Sequence, residues 1–184
     1  TIASGRLSNE DIFTLRKLTE ANGGTFVGYS RMAGGDLVNQ YGMPPGSNLS
    51  NLGNGSVIIV TASDLHEEAP IWWLRVREAV KRGAKLITIN ARPTRLNDFT
   101  AHVMRCKFGE ESATIENLLS GDLADIIKQS ENLVVFYGSD GLGRSATGSL
   151  AAAGARLIQL TGHTGKVNSG LIPVWERANT QGLW

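Results

Sequence analysis

The chain has 184 residues, with 18 Lys plus Arg against 17 Asp plus Glu and a formal net charge of +1. That length fits one large domain or two small ones, and the balanced charge excludes a global attraction to nucleic acid or an anionic membrane. Hydrophobic residues make up 41% and charged residues 19%, so the composition is globular rather than disordered, and 22 glycines against a usual share of about 7% suggest many tight turns.

Ser8 is placed to cap a helix, with Asp11 three residues on as a capping-box partner. Ile12, Leu15 and Leu18 continue it as an apolar stripe, and Asn22-Gly23-Gly24 stops it. Thr25 to Tyr29 reads as a short strand. Residues 34–56 are rich in Gly, Asn, Ser and Pro and read as a long loop, functional or partner-bound. Val57 to Thr61 is a buried strand, since its apolar β-branched run suits a parallel sheet covered on both faces. Pro70 opens a helix whose face carries Trp73, Val76 and Val80, and Gly83 ends it. Lys85 to Asn90 is the next strand. Residues 102–106 form a short strand, and residues 112–130 form one or two helices broken near Gly121.

The pattern then repeats. Leu133 to Tyr137 reads as a buried strand, 145–153 as an Ala-rich helix stopped by Gly154, and Arg156 to Leu160 as a strand. Gly83-Ala84-Lys85-Leu86-Ile87 and Gly154-Ala155-Arg156-Leu157-Ile158 look like equivalent joints in two β-α-β units. The expected fold is α/β, a Rossmann-like parallel β-sheet with two β-α-β half-repeats. Residues 1–130 form the first half with the long loop 34–56. Residues 131–184 form the second half and a Gly/Asn-rich tail.

Each expected buried strand ends in a Ser-Asp pair, Ser63-Asp64 and Ser139-Asp140. Open parallel sheets bind ligands at that edge. Ser and Asp also cap helices there, and both readings fit. Asn90, Arg92 and Thr94 follow another strand, where Arg92, Arg95 and the Thr94 hydroxyl are suited to a phosphate. Two solvated arginines on a surface turn are the alternative.

Other motifs fare worse. Gly141-Leu-Gly143-Arg-Ser-Ala146 matches a dinucleotide fingerprint, but no acid closes the expected next strand to hold a ribose. Gly162-His-Thr-Gly165-Lys166 fails the phosphate-loop rule, because Val167 stands where a metal-binding hydroxyl is needed. Asp64, His66, Glu67 and Glu68 lack a metal-ligand spacing and suit a helix N-terminus. No serine-nucleophile elbow is present. The single cysteine, Cys106, excludes an internal disulfide and an iron–sulfur cluster held by this segment's own cysteines. It reads as a structural thiol. No run approaches the roughly 18 apolar residues of a membrane helix. Residues 1–10 lack the basic head and apolar core of a signal peptide. With no initiator Met and an apolar end at Trp184, the chain reads as a fragment of a longer one.

Five ordered stretches resemble one family. They are Gly5-Arg6-Leu7-Ser8-Asn9-Glu10; Ala62-Ser63-Asp64-Leu65-His66-Glu67-Glu68-Ala69-Pro70; Gly83 to Ile87 with Asn90-Ala91-Arg92-Pro93-Thr94; Thr161-Gly162-His163 through Asn168-Ser169-Gly170-Leu171; and Ala178-Asn179-Thr180-Gln181-Gly182. Together they resemble the molybdopterin oxidoreductases. Within that family they are most similar to the large iron–sulfur subunits of NADH:quinone oxidoreductase, respiratory complex I. The resemblance implies the formate dehydrogenase/DMSO reductase type of domain. In catalytic members two pterin guanine dinucleotides hold molybdenum or tungsten, and a Cys, selenocysteine or Ser completes the metal site. The matching stretch here is Ser30-Arg31-Met32-Ala33-Gly34-Gly35, with Ala33 at the ligand position.

The resemblance therefore implies a scaffold domain with no catalytic residue and no metal ligand of its own. No cofactor is expected in this fragment, and iron–sulfur clusters are expected elsewhere in the full-length chain. Ser63, Asp64, Asn90, Arg92, Thr94, Ser139 and Asp140 would be relic or real pterin-dinucleotide loops. The implied partners are other peripheral-arm subunits, without nucleic acid or membrane insertion, on the cytoplasmic side of the membrane. The alternatives are part of an active, formate dehydrogenase-like molybdenum or tungsten enzyme that binds molybdopterin guanine dinucleotide, or a standalone Rossmann-type nucleotide module.

Overall fold

A computed structural model describes all 184 residues, Thr1–Trp184. In chain order the elements are β1 (Ile2–Ser4), α1 (Asn9–Ala21), β2 (Val27–Tyr29), α2 (Gly35–Tyr41), β3 (Ser56–Thr61), α3 (Leu65–Glu68), α4 (Pro70–Lys81), β4 (Lys85–Asn90), β5 (His102–Arg105), α5 (Glu111–Glu116), α6 (Ala124–Lys128), β6 (Asn132–Tyr137), α7 (Arg144–Leu160) and β7 (Gly170–Pro173). Short 3-10 turns link several of them.

β3 to β7 form one sheet in the order β5-β4-β3-β6-β7, and every pair is parallel. Alternating side chains explain why both faces are covered. Ile59 of β3, Ile87 of β4 and Val135 of β6 join the cluster under α2, α5, α6 and α7. Their neighbours Ile58, Leu86 and Val134 join the opposite cluster under α4. Burying each such side chain contributes about 1.5–3 kcal/mol. This is an α/β fold of Rossmann-like, doubly wound type.

The strand order also fixes where a ligand edge lies. From β3 the chain winds outward to β4 and β5. It then returns to place β6 against the other side of β3 and winds to β7. Connections leave β3 and β6 in opposite directions, so their carboxyl ends flank a topological switch point. There the backbones nearly touch: a Cβ on Gly138 would lie 2.5 Å from the Ala62 carbonyl oxygen, so only glycine fits.

The second half corrects the sequence reading. Arg156 to Leu160 is not a strand: α7 runs unbroken from Arg144 to Leu160, and Gly154 lies inside it. Leu150, Ala151, Gly154, Ala155, Leu157 and Ile158 are all buried, at the spacing of one helical face. Gly154 lets the helix approach the sheet, since a Cβ there would sit 2.9 Å from Leu171 Cδ1 and 3.3 Å from Val135 Cγ1. The helix ends instead at Thr161. The strand that completes this β-α-β unit is β7, paired with β6 from Val134↔Gly170 onward.

Residues 34–56 are likewise not all loop. α2 lies within them, and Leu37, Val38 and Tyr41 pack on the core. The capping box that starts α1 is present: Asp11 N–H donates to Ser8 Oγ at 3.1 Å and Ser8 N–H to Asp11 Oδ2 at 3.4 Å. α1 buries Ile12, but Leu18 is 60% exposed. β1 and β2 form a separate parallel pair, and β1 had no signal in the sequence. No helix is long and apolar enough to cross a membrane.

Candidate functional site

The switch-point crevice collects the strand-end residues. Ser63 and Asp64 follow β3, Asn90 ends β4 with Arg92 and Thr94 beyond it, and Ser139 and Asp140 follow β6. Arg92 reaches from the end of β4 past β3 to β6. Its Nε donates to Asp140 Oδ1 at 3.0 Å and Oδ2 at 2.9 Å, and its Nη1 donates to Asp64 Oδ2 at 3.4 Å. The Asp140 pairing, above other causes, raises the guanidinium's pKa and keeps it charged. Asn90 Nδ2 donates to the Ser63 carbonyl at 3.5 Å.

Thr94 and Ser139 stand apart from this network. Thr94 Oγ1 donates to Asn97 Oδ1 at 3.3 Å in the following turn. The Ser139 carbonyl accepts from Leu142 N–H at 2.6 Å, shaping the turn into α7. Arg95, considered with Arg92 as a phosphate holder, is exposed and has no carboxylate within 4.0 Å.

Glu68 is a member of the network that sequence reasoning assigned only to a helix dipole. It folds back so that Ser63 Oγ donates to its Oε2 at 2.8 Å and Asp64 N–H to its Oε1 at 3.4 Å. Burial, the largest cause, raises its pKa. A serine five residues before a glutamate, across a helix start, is the local signal that was available. Backbone conformation adds to the picture: Ala62 and Asp140 have φ of 46° and 37°. Left-handed non-glycine residues at both carboxyl ends are conformations that only the surrounding structure holds in place. The Thr61 hydroxyl, also at the end of β3, is buried without a hydrogen-bond partner.

Chemically, the crevice is acidic and already closed by its own arginine. Asp64 and Asp140 hold the one guanidinium and Glu68 lies beside Asp64, so a phosphate entering here meets carboxylates and an engaged guanidinium.

The stretch Ser30 to Gly35 lies over the carboxyl end of β6. Ala33 N–H donates to Thr147 Oγ1 at 3.1 Å, and the Tyr137 hydroxyl donates to the Ala33 carbonyl at 3.1 Å. Burial pushes the Tyr137 phenol far above its ordinary value, so it stays a donor. Arg144 Nη1 donates to the Ser30 carbonyl at 2.7 Å. The turn is thus fixed from both β6 and α7, and it presents a methyl group. No three His, Cys, Asp or Glu side chains converge as metal ligands.

The remaining motifs resolve as structure. Gly143 caps α7 without a side-chain bond. The strand after that helix is β7, and Glu176 beyond it faces Arg31 at 3.7 Å. The Gly162 to Lys166 stretch turns the chain after a helix, not after a strand. Within it His163 is 1% exposed, with Nε2 2.9 Å from the Ser130 carbonyl and Nδ1 2.9 Å from Thr161 Oγ1. Burial pushes the Cys106 thiol up, away from the thiolate a nucleophile needs.

The Ala178 to Gly182 stretch acts as a staple. Asn179 Nδ2 donates to the Leu7 carbonyl at 2.8 Å and to Asn9 Oδ1 at 2.9 Å. Gln181 Nε2 donates to the Gly35 carbonyl at 3.0 Å, and its Oε1 accepts from Trp175 Nε1 at 3.1 Å. The tail therefore ties the N-terminal segment to α2.

A family model described as molybdopterin oxidoreductase matches residues 1–181. The chain belongs to the molybdopterin oxidoreductase family. A comparison with curated proteins gives no match. The matched span covers both halves of the sheet, the Ser30 to Gly35 turn and nearly all of the stapling tail, so the family assignment rests on the whole domain.

Proposed function

We propose that this domain is a non-catalytic scaffold of the large subunit of an NADH:quinone oxidoreductase, a molybdopterin-oxidoreductase fold that supports electron transfer carried by other domains. The observation that carries this reading is Ala33. In the resemblance it occupies the metal-ligand position, and here its backbone is held at both N–H and carbonyl. A methyl group cannot coordinate a metal, and the hydroxyl of Ser30, which precedes it in the turn, accepts from Met32 N–H at 3.2 Å. The residue at the ligand position therefore supplies no bond to a molybdenum or tungsten centre.

The crevice agrees. Arg92, the one cation among the candidate residues at the ends of β3, β4 and β6, is already committed to Asp140 and Asp64. A dinucleotide's phosphates would have to break that pairing. Arg92, Asp64 and Asp140, three of the residues that would cradle a cofactor, fasten the ends of β4, β3 and β6 together. The domain's contribution under this reading is a rigid α/β body with partner surface for other peripheral-arm subunits, on the cytoplasmic side of the membrane.

The test is affinity isolation of the natural full-length protein under native conditions. Co-purification of NADH:quinone oxidoreductase subunits with NADH-to-quinone activity supports the scaffold reading. Isolation as a separate enzyme that oxidises formate with an artificial acceptor overturns it in favour of an active molybdenum or tungsten oxidoreductase.

A further inference from the structure

We propose that Asn54 is a modification site, where the chain converts asparagine to aspartate and isoaspartate by its own chemistry. Asn54-Gly55 stands in the exposed turn just before β3. That is the amino edge of the sheet, opposite the switch-point crevice, so the inference stands or falls independently of the scaffold reading.

An asparagine followed by glycine meets little steric resistance to this reaction, because glycine has no Cβ to block the approach. The chain holds two such pairs, Asn22-Gly23 and Asn54-Gly55, and the fold treats them differently. At the first, Asn22 Nδ2 donates to the Leu18 carbonyl at 2.8 Å and Gly23 N–H to the Glu20 carbonyl at 3.0 Å. The end of α1 thus holds both the leaving group and the attacking nitrogen. At the second, Gly55 N–H makes no backbone bond and lies 3.1 Å from Asn54 Oδ1. The attacking nitrogen already faces the side-chain amide whose Cγ it must reach. Asn54 Nδ2 donates to nothing in the protein, and both residues are exposed.

The step balances with water as the only co-reactant. A base from solvent takes the Gly55 amide proton, and the nitrogen attacks Asn54 Cγ. The new N–Cγ bond closes a succinimide ring as the Cγ–Nδ2 bond breaks, and Nδ2 takes up a proton and leaves as ammonia. Water then opens the ring. Cleavage at Cγ gives aspartate. Cleavage at the main-chain carbonyl carbon gives isoaspartate, whose main chain is longer by one methylene. Nothing is oxidised or reduced. The product bears on the fold because this turn ties two strands. The Gly55 carbonyl accepts from Glu131 N–H at 2.8 Å, and Ser56 pairs with Asn132 at the start of β6. The Glu131 carboxylate also lies over Gly55, since a Cβ there would be 2.9 Å from Glu131 Oε2. Both products add a negative charge to the residue before Gly55, and isoaspartate also displaces the Gly55 carbonyl.

The test is peptide mapping by mass spectrometry of the full-length protein after incubation at mildly alkaline pH, with chromatography separating aspartyl from isoaspartyl peptides. Both products are expected at Asn54, and faster as pH rises, because the attacking nitrogen must lose its proton. Conversion at Asn22 should be slower by about tenfold or more, since two hydrogen bonds must open there first. In protein unfolded by urea the two sites should convert at similar rates, because the fold and not the dipeptide sets the contrast. Asn54→Gln, whose longer side chain cannot close the same ring, should abolish the signal at this position and keep the parent circular dichroism spectrum. In aged parent protein the Glu131 amide should exchange several-fold faster than in Asn54→Gln protein aged beside it. An unmodified Asn54 in the native protein, equal conversion at Asn22 and Asn54, or a contrast that persists in urea overturns the proposal.

Discussion

Arg92 Nε lies within 3.0 Å of both carboxylate oxygens of Asp140, a residue 48 positions further along the chain. The contact crosses the end of β3 and passes within 3.4 Å of Asp64. One side chain thereby joins the exits of β4, β3 and β6. The Arg92 side chain is 49% exposed, whereas those of Asp64 and Asp140 are 8% and 17% exposed. The arginine is the lid of the crevice and the two acids are its floor.

Removing that lid leaves two shielded carboxylates facing each other without a cation. Arg92→Gln should destabilise the fold by about 1–2 kcal/mol, more than an exposed pair is worth because the acids are shielded. Arg95→Gln, at an exposed unpaired site, should change stability by less than about 0.5 kcal/mol. Urea unfolding of both variants beside the parent gives the comparison.

Glu68 should make stability depend on pH. Burial raises its folded-state pKa above the ordinary value. Between the unfolded and folded values the native state holds more protons, so the stability Glu68 contributes is complete below the unfolded value and is lost as pH rises through the folded one. Glu68→Gln should therefore match the parent near pH 4 and be more stable than the parent near neutrality. Unfolding free energies at the two pH values check this, and an equal effect at both would contradict it.

His163 has the opposite sign. Burial lowers its pKa, so the unfolded chain takes up a proton first as pH falls. Its contribution is complete above the unfolded value of about 6.5 and is lost on acidification toward the lower folded value. His163→Gln should be less stable than the parent at pH 8 and should lose this part of the acid dependence. Thermal melts between pH 5 and pH 8 measure it.

The strands that a sequence shows best are those buried on both faces, and here β3 and β6 were legible for that reason. β7 was not. It has four residues, begins with Gly and ends with Pro, so it has neither a run nor an alternation to detect. The stretch Arg156 to Leu160 took its place because a short apolar run has the same appearance in a strand and in the last turn of a buried helix. The likeness of Gly154-Ala155 to Gly83-Ala84 reinforced the error, although the two glycines differ. Gly83 has φ of 96° and ends a helix, while Gly154 sits within one. The candidate residues at the strand ends could be collected from the sequence, because strand ends follow from strand positions. Their pairing could not. Arg92 meets Asp140 only once the sheet order places β4, β3 and β6 side by side.

Gly154 gives a direct check on that corrected helix. Gly154→Val forces a branched side chain against Leu171 and Val135, and overpacking of this kind costs about 1–3 kcal/mol. Gly154→Ala should cost less, because better helix propensity offsets part of the contact. A large stabilisation by either substitution, seen in urea titration, would contradict the packing described for α7.

The staple gives a local check. Asn179→Ala removes hydrogen bonds to Leu7 and Asn9 and should cost about 1–2 kcal/mol. Amide exchange should quicken in β1 and α1 while β3 and β6 keep the parent protection. A uniform change across the sheet would contradict the local role of the tail.

The most direct test of the scaffold account is metal and pterin analysis of the full-length protein from its native source. Elemental analysis reports molybdenum or tungsten, and fluorescence after oxidative extraction reports pterin. The scaffold reading predicts that both fall well below stoichiometric amounts in folded protein. Stoichiometric metal with pterin would contradict it, and the crevice now closed by Arg92 would have to open around a cofactor.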